Sequence, residues 1–203
     1  MFTEENPDAS VYSQSEEIKA AIPYVVAAAE KLGYNLNRMA ISGGSAGGCL
    51  ALIYAYRDAD TSPVPVRMVF EAVGPGSFHV EDWDIFGLDQ SAEAAAGLFS
   101  VMSGQTISPK DIASGAYLKA VKPVSADRWV TKDTVPSVLC YGALDKMQPF
   151  AASKPLVAAL EENGVDYRYF VAEHSGHGLQ NDNKVYMAYL DAVAEYLDKY
   201  MKE

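Results

Sequence analysis

A serine stands in a glycine-rich turn between an apolar run and a helix-compatible segment. Residues 42–48 read Ser-Gly-Gly-Ser-Ala-Gly-Gly, after Met-Ala-Ile and before Cys-Leu-Ala-Leu-Ile. This pattern predicts a strand, a sharp turn and a helix, with Ser45 at the tip of the turn. Gly43 and Gly47 complete the spacing Gly-x-Ser-x-Gly, in which a strained turn requires small residues two before and two after the serine. Ser45 is therefore the candidate nucleophile.

Two other interpretations of this turn have to be weighed. Glycine-rich turns between a strand and a helix also bind phosphate groups, so a nucleotide-binding loop is one alternative. No Lys-Ser or Lys-Thr pair closes the turn, and the spacing Gly-x-Gly-x-x-Gly does not occur in it. The second alternative is structural, because glycines also allow a helix to pack closely on a sheet. The pentapeptide alone leaves that alternative open.

A serine nucleophile needs a base and an acid within hydrogen-bonding reach, and histidine is the usual base. The chain contains three histidines. His79 follows a Gly-Pro-Gly-Ser-Phe loop, whereas His174 and His177 lie in Glu-His-Ser-Gly-His-Gly after the strand-like run 167–171. The last two are placed where a base is expected.

The candidate acid is Asp145. In triads with the chain order Ser, Asp or Glu, His, the acid follows another strand of the sheet. Residues 135–141 form an apolar, strand-like run, and Gly-Ala-Leu-Asp at 142–145 leads out of it. Glu71 lies inside the strand-like run 66–73, which is too early in the strand for this role, and a carboxylate there must face a partner or be partly exposed.

Three motifs in this order resemble those of the α/β-hydrolase family of esterases and lipases. They are the Gly-Gly-Ser-Ala-Gly-Gly turn, Gly-Ala-Leu-Asp at 142–145 followed by Gln-Pro at 148–149, and Ser-Gly-His-Gly at 175–178. The turn is similar in particular to that of small carboxylesterases and of acetyl or feruloyl esterases. The resemblance covers nearly all of residues 10–200.

This resemblance implies roles for the site residues. It implies that Ser45 is the nucleophile, Asp145 the acid and His177 the base. The backbone N–H of Ala46 is then an oxyanion-hole donor, and His174 is a loop residue. The implied reaction cleaves short-chain or carbohydrate-linked acyl esters through an acyl-enzyme, without a metal or organic cofactor. The alternatives are a peptidase resembling prolyl oligopeptidases and a catalytically impaired remnant that serves as a binding or assembly module.

The sequence departs from the family upstream of the turn. Family members carry several strands and a His-Gly-Gly-Gly loop there, and the loop supplies part of the oxyanion hole. Before Ser45 there is room for about one helix and a short polar lead. We therefore expect an N-terminally truncated α/β-hydrolase-type three-layer sandwich, with a mostly parallel sheet whose strand 38–42 forms an open edge. Such an edge favours association, so we expect a homo-oligomer through it.

The segment before the turn predicts one helix. Ser13 and Glu16 have the spacing of a capping box, and Gly33 suits the C-terminal cap. Pro23 lies inside the segment, so we expect a kink there or a start near Ile22.

Residues 77–134 contain no strand-like run of similar quality, but they contain two plausible helices. We expect them to form a small helical cap-like insertion within a single domain that spans residues 1–203. Its aromatic side chains, with Trp83 and Phe86 the substrate-binding candidates, are positioned to line an acyl or aromatic pocket. For any one of them, packing of the insertion onto the sheet is the simpler explanation.

Composition narrows the functional class. A chain of 203 residues that is 49% hydrophobic can bury a core, and a formal net charge of −11 argues against nucleic acid and anionic membranes as partners. No run approaches the roughly 20 apolar residues of a membrane span, and the start is acidic, unlike a signal peptide. We therefore expect a cytoplasmic protein. Cys49 and Cys140 fall on different predicted elements and match no metal-ligand spacing, so we expect two buried, reduced thiols.

Overall fold

The computed structural model describes residues 9–202, in which helices and strands alternate. The strands are β1 (Met39–Gly44), β2 (Val66–Ala72), β3 (Ser137–Gly142) and β4 (Tyr167–Ala172). The α-helices are α1 (Val11–Lys31), α2 (Ala46–Ile53), α3 (Ala92–Ser103), α4 (Pro109–Ser114), α5 (Tyr117–Val121), α6 (Lys154–Glu162) and α7 (Asn183–Met201). The predicted α/β class is confirmed.

The four strands form one parallel sheet in the order β1-β2-β3-β4. Because parallel strands point the same way, their carboxyl ends all lie at one end of the sheet. β1 is an edge strand, as predicted, and in the described part of the chain no strand pairs with its outer side. Among the described strands, the one that precedes Ser45 is thus hydrogen-bonded to β2 alone.

Helices cover both faces of the sheet, which confirms the three-layer prediction. On one face, Leu52 of α2 and Leu156 of α6 pack with Leu139 of β3. On the other face, Val193 of α7 packs with Val138 of β3. All six residues of β3 are buried, as expected of a parallel strand covered on both sides.

Helix α1 differs from the prediction at its start and in its middle. Ser10, and not Ser13, is the N-cap, and its capping box is closed by Ser13 rather than by Glu16. The helix begins at Val11 and continues through Pro23 to Lys31, so the expected alternative of a start near Ile22 was wrong. Pro23 is exposed, and water can therefore solvate the carbonyl that loses its helical partner there.

The segment between β2 and β3 is helical, as predicted. It folds into α3, α4, α5 and short 3₁₀ turns around an aromatic cluster. In that cluster the ring of Phe78 lies 5.4 Å from that of Trp83 and 5.8 Å from that of Phe99. The cluster continues into Cys49 and Ile53 of α2. This insertion is therefore packed directly on α2, the helix that follows Ser45.

Candidate active site

Ser45 lies in a strained turn between β1 and α2. Its φ of 55° and ψ of −126° place it in a region that favours glycine. Its N–H donates to the Ala72 carbonyl at 2.9 Å, and its own carbonyl accepts from the N–H groups of Gly48 and Cys49 at 2.9 and 3.2 Å. Hydrogen bonds on both sides therefore hold the serine in a conformation that costs free energy, a feature common at functional sites.

Of the two glycines that lie two residues from Ser45, only Gly43 is sterically crowded. A Cβ on Gly43 would lie 2.1 Å from the carbonyl oxygen of Gly47, which is a backbone atom. A Cβ on Gly47 would meet nothing within 4 Å. The close approach is between the Cα of Gly43 and the Gly47 carbonyl, so the expectation that position 47 must also be small for steric reasons was wrong.

Ser45, His177 and Asp145 form a chain of hydrogen bonds. Nε2 of His177 lies 2.9 Å from Oγ of Ser45, and Nδ1 lies 2.7 Å from Oδ2 of Asp145. Oδ1 of Asp145 accepts the backbone N–H groups of Met147 and Gln148 at 2.7 and 3.0 Å. The carboxylate is buried and the imidazole is partly exposed. The three residues singled out by the sequence are therefore brought together in the order that proton transfer requires.

The three side chains follow β1, β3 and β4, at the carboxyl end of the sheet. The loops after β3 and β4 are in backbone contact: the N–H of Leu144 donates to the Ser175 carbonyl at 3.0 Å. A Cβ on Gly142 would lie 2.4 Å from the carbonyl oxygen of Gly176. This close approach fixes the separation of the carboxylate and the imidazole.

The other two histidines are paired elsewhere. Nδ1 of His174 lies 3.0 Å from Oδ1 of Asp182, and the imidazole is 78% exposed. Nε2 of His79 lies 3.0 Å from Oδ2 of Asp127, and this hydrogen bond raises the pKa of the His79 imidazole. Both rings thus have carboxylate partners outside the chain of hydrogen bonds at the serine.

Ala46 is the first residue of α2. The first N–H groups of a helix have no intrahelical acceptor and carry partial positive charge. The N–H of Ala46 directly follows the serine, which is the position of one oxyanion donor in nucleophile turns of this type. The motif His-Gly-Gly-Gly, which supplies further donors in this type of site, does not occur in the sequence. The Ala46 N–H is the donor that the turn itself supplies.

A cavity of about 300 Å³ opens beside Ser45 and His177. Trp83 and Phe86, both predicted for substrate binding, line it. Its wall also contains apolar residues that the sequence did not mark for the site, namely Pro75, Leu98 and Met147. Only the folded chain brings these residues, from three separate segments, to one place.

The described residues hold no group of three or more His, Cys, Asp and Glu side chains placed to bind a metal ion. No helix in residues 9–202 is long and apolar enough to cross a membrane. Cys49 and Cys140 are free and buried, as predicted. Burial raises the pKa of both thiols to about 12.

A parallel sheet with a nucleophile turn after one strand, and with acid and histidine loops after later strands, defines the α/β-hydrolase fold. The chain belongs to the BD-FAE family, whose sequence model matches residues 5–160. A comparison with curated protein sequences finds no match.

Solved structures share the fold at low sequence identity. The propionate-bound esterase Est2 from Thermogutta terrifontis is 22% identical with a TM-score of 0.67, over 94% of this chain and 66% of that one. An acetyl ester-xyloside bifunctional hydrolase from Caldicellulosiruptor lactoaceticus is 19% identical with a TM-score of 0.62, over 91% and 65%. An inhibited esterase B from Lactobacillus rhamnosis is 18% identical with a TM-score of 0.67, over 94% and 62%. The chain thus spans about two thirds of the length of these proteins.

Proposed function

We propose that the protein is a serine hydrolase that cleaves carboxylic esters through an acyl-enzyme on Ser45. The observation that carries the proposal is the chain of hydrogen bonds from Ser45 Oγ through His177 to Asp145, with distances of 2.9 and 2.7 Å. Membership of the BD-FAE family supports it, as does the fold shared with proteins named esterases. No metal or organic cofactor is needed for this chemistry.

In the first half of the reaction, Nε2 of His177 takes the proton from Oγ of Ser45 while Oγ attacks the acyl carbon. Asp145 accepts the Nδ1–H of the imidazole, which fixes the tautomer and stabilises the imidazolium. The Ala46 N–H donates to the oxyanion of the tetrahedral intermediate. The imidazolium then protonates the leaving alkoxide, and water repeats the sequence to release the acid and regenerate the serine.

The cavity favours a compact acyl group. Its volume of about 300 Å³ is at the lower end of ligand pockets, and Trp83 and Phe86 give it apolar walls. Such a site suits a short-chain or aromatic acyl group rather than a long triglyceride chain. A carbohydrate-linked acyl ester is the proposed substrate class, and the likeness to an acetyl ester-xyloside hydrolase supports it. Because Trp83, Phe86 and Leu98 line the cavity, we propose that residues 77–134 form a cap within a single domain.

The test of this function is labelling with a fluorophosphonate probe, read by intact mass and by peptide mapping, beside Ser45→Ala. We expect one label per chain on Ser45, none on the variant, and turnover of p-nitrophenyl acetate by the wild type alone. A panel of acetyl, butyryl and feruloyl esters then defines the acyl group, and matched anilides test the peptidase alternative. A folded wild type that takes no label contradicts the proposal and favours the impaired remnant.

We also propose that a second copy of the chain covers the outer edge of β1. Exposed apolar side chains lie on α1 and in the segment that leads from it into β1: Tyr24, Leu32 and Tyr34 expose 78%, 76% and 64% of their surface. An unpaired strand edge favours association, and so do exposed apolar side chains.

The measurement for this association is the solution mass by light scattering after size exclusion. We expect a dimer that Leu32→Lys converts to a monomer. Met187→Lys, at a partly exposed apolar position on α7, is the control and leaves the dimer intact. A wild-type monomer at high concentration contradicts the association.

A further inference from the structure

The carboxyl group of Glu71 is buried beneath the nucleophile turn and is only half satisfied. The residue has no exposed surface, and Oε2 accepts the backbone N–H of Gly74 at 2.8 Å. Oε1 has no hydrogen-bond partner, and among the described residues it is the one buried side-chain nitrogen or oxygen atom in that state. A buried carboxyl oxygen without a hydrogen-bond partner destabilises the folded state, so the position of Glu71 needs a physical explanation.

The carboxyl group lies where three backbone segments meet. Glu71 is paired with Gly43 across the β1–β2 ladder, two residues before the serine. A Cβ on Gly48, in the first turn of α2, would lie 2.8 Å from Oε2 of Glu71. A Cβ on Gly74 would lie 2.7 Å from the Cys49 nitrogen and 2.8 Å from the same Oε2. The first turn of α2 and the loop after β2 therefore pack against this one side chain.

The loop that Glu71 holds forms part of the active-site wall. The N–H of Gly74 donates to Glu71, and its carbonyl accepts the Tyr141 hydroxyl at 2.8 Å, so Gly74 is fixed from both sides. Val73 before it has a φ of 52°, which a β-branched residue adopts only under restraint. Pro75 after it lines the cavity. A change at Glu71 is thus transmitted to the cavity through one hydrogen bond.

The titratable groups that interact with the Glu71 charge are thiols and phenols. They are Cys49 on α2, Cys140, Tyr141 and Tyr169 on β3 and β4, Tyr189 on α7, and Tyr56 after α2. Burial, with the Glu71 charge as a further cause, raises the pKa of every one of them, so all are neutral at pH 7. None of them carries a positive charge that could pair with a carboxylate. Burial raises the pKa of Glu71 itself to about 8, although the Tyr141 hydroxyl and the Gly74 N–H act to lower it.

We propose that Glu71 is a positioning residue that acts as a neutral carboxylic acid, holding the loop after β2 against the first turn of α2. The proposal rests on the proposed hydrolase function. Loss of the proton would place a negative charge at the N-terminus of α2, which supplies the oxyanion donor. That charge would repel the negative oxyanion of the tetrahedral intermediate. Turnover therefore decreases as the pH rises through the pKa of Glu71.

The experiment compares Glu71→Gln with Glu71→Leu in ester turnover from about pH 6 to about pH 9.5. The glutamine keeps an acceptor for Gly74 and cannot ionise, whereas the leucine leaves that N–H unpaired. We expect kcat of the wild type to decrease above about pH 8 and that of Glu71→Gln to stay level. We expect Glu71→Leu to lower kcat roughly 10- to 100-fold at pH 7 and to change KM less. The substitution displaces the first turn of α2 relative to the loop after β2, but it leaves the residues that line the cavity in place.

Thermal unfolding supplies a second readout that does not depend on activity. Because the folded pKa of Glu71 lies above the ordinary value of 4.5, its favourable contribution is fully present below about pH 4.5 and is lost as the pH rises to about 8. Wild-type stability should therefore fall across that window relative to Glu71→Gln. The control variant is Asp58→Asn. Asp58 is also a buried carboxylate, but Arg57 and Lys19 pair with it. We expect this variant to keep the wild-type pH profile of kcat.

The outcomes separate this inference from the proposed function. If the wild type is active and kcat of Glu71→Gln also decreases at alkaline pH, the inference about Glu71 is overturned and the proposed function stands. The same holds if the wild type and Glu71→Gln show the same thermal stability at every pH. A folded wild type that neither labels nor turns over ester overturns both.

Discussion

Replacing Asp145 by asparagine is expected to lower kcat for ester hydrolysis about 10⁴-fold without unfolding the protein. The asparagine carbonyl oxygen can still accept the N–H groups of Met147 and Gln148, which Oδ1 accepts now. Its NH₂ group then replaces Oδ2, 2.7 Å from Nδ1 of His177, and forces Nδ1 to act as an acceptor. The ring proton moves to Nε2, which faces Oγ of Ser45 and can no longer take its proton.

This prediction is checked by steady-state kinetics with an activated ester and by the thermal unfolding midpoint of the same samples. The control is His174→Asn, which removes the other carboxylate–imidazole pair of the same loop. Because His174 is exposed, we expect kcat to change by no more than about twofold. Equal losses in the two variants would mean that the loop, and not the tautomer, limits the reaction.

The sequence could predict the geometry of the candidate active site because parallel strands do most of the positioning. Ser45, Asp145 and His177 each follow an apolar strand, and the carboxyl ends of parallel strands meet at one end of the sheet. Chain order and three short motifs therefore sufficed, although 132 residues separate the serine from the histidine. The edge position of β1 was also predicted, and the strand order confirms it.

Features set by tertiary contact were beyond the sequence. β2 is covered on both faces, so its pattern does not show which residues face the nucleophile turn, and the burial of Glu71 beneath it could not be predicted. The contribution of Pro75 and Leu98 to the cavity depends on how the insertion packs. The passage of α1 through Pro23 depends on that residue facing solvent.

The second large effect is expected at Gly43, where a methyl group has no space. In Gly43→Ala the new Cβ would lie 2.1 Å from the Gly47 carbonyl oxygen and 2.2 Å from its carbon. Both atoms belong to the backbone of α2, so β1 and α2 must separate to relieve the contact. We expect the free energy of unfolding to fall by about 3 kcal/mol, at the upper end for overpacked sites.

Gly44→Ala is the matched control for Gly43→Ala, because it makes the same chemical change one residue further along β1. There the new Cβ would have its nearest neighbour at 3.7 Å, which is an ordinary van der Waals contact, so we expect a change within about 1 kcal/mol. Urea unfolding of both variants measures the difference. Since Gly43 also sets the path of the chain into Ser45, Gly43→Ala should lose fluorophosphonate labelling even where it remains folded. Similar unfolding free energies for the two variants would show that the turn can open without cost, and the strained geometry at Ser45 would then not be what presents the nucleophile.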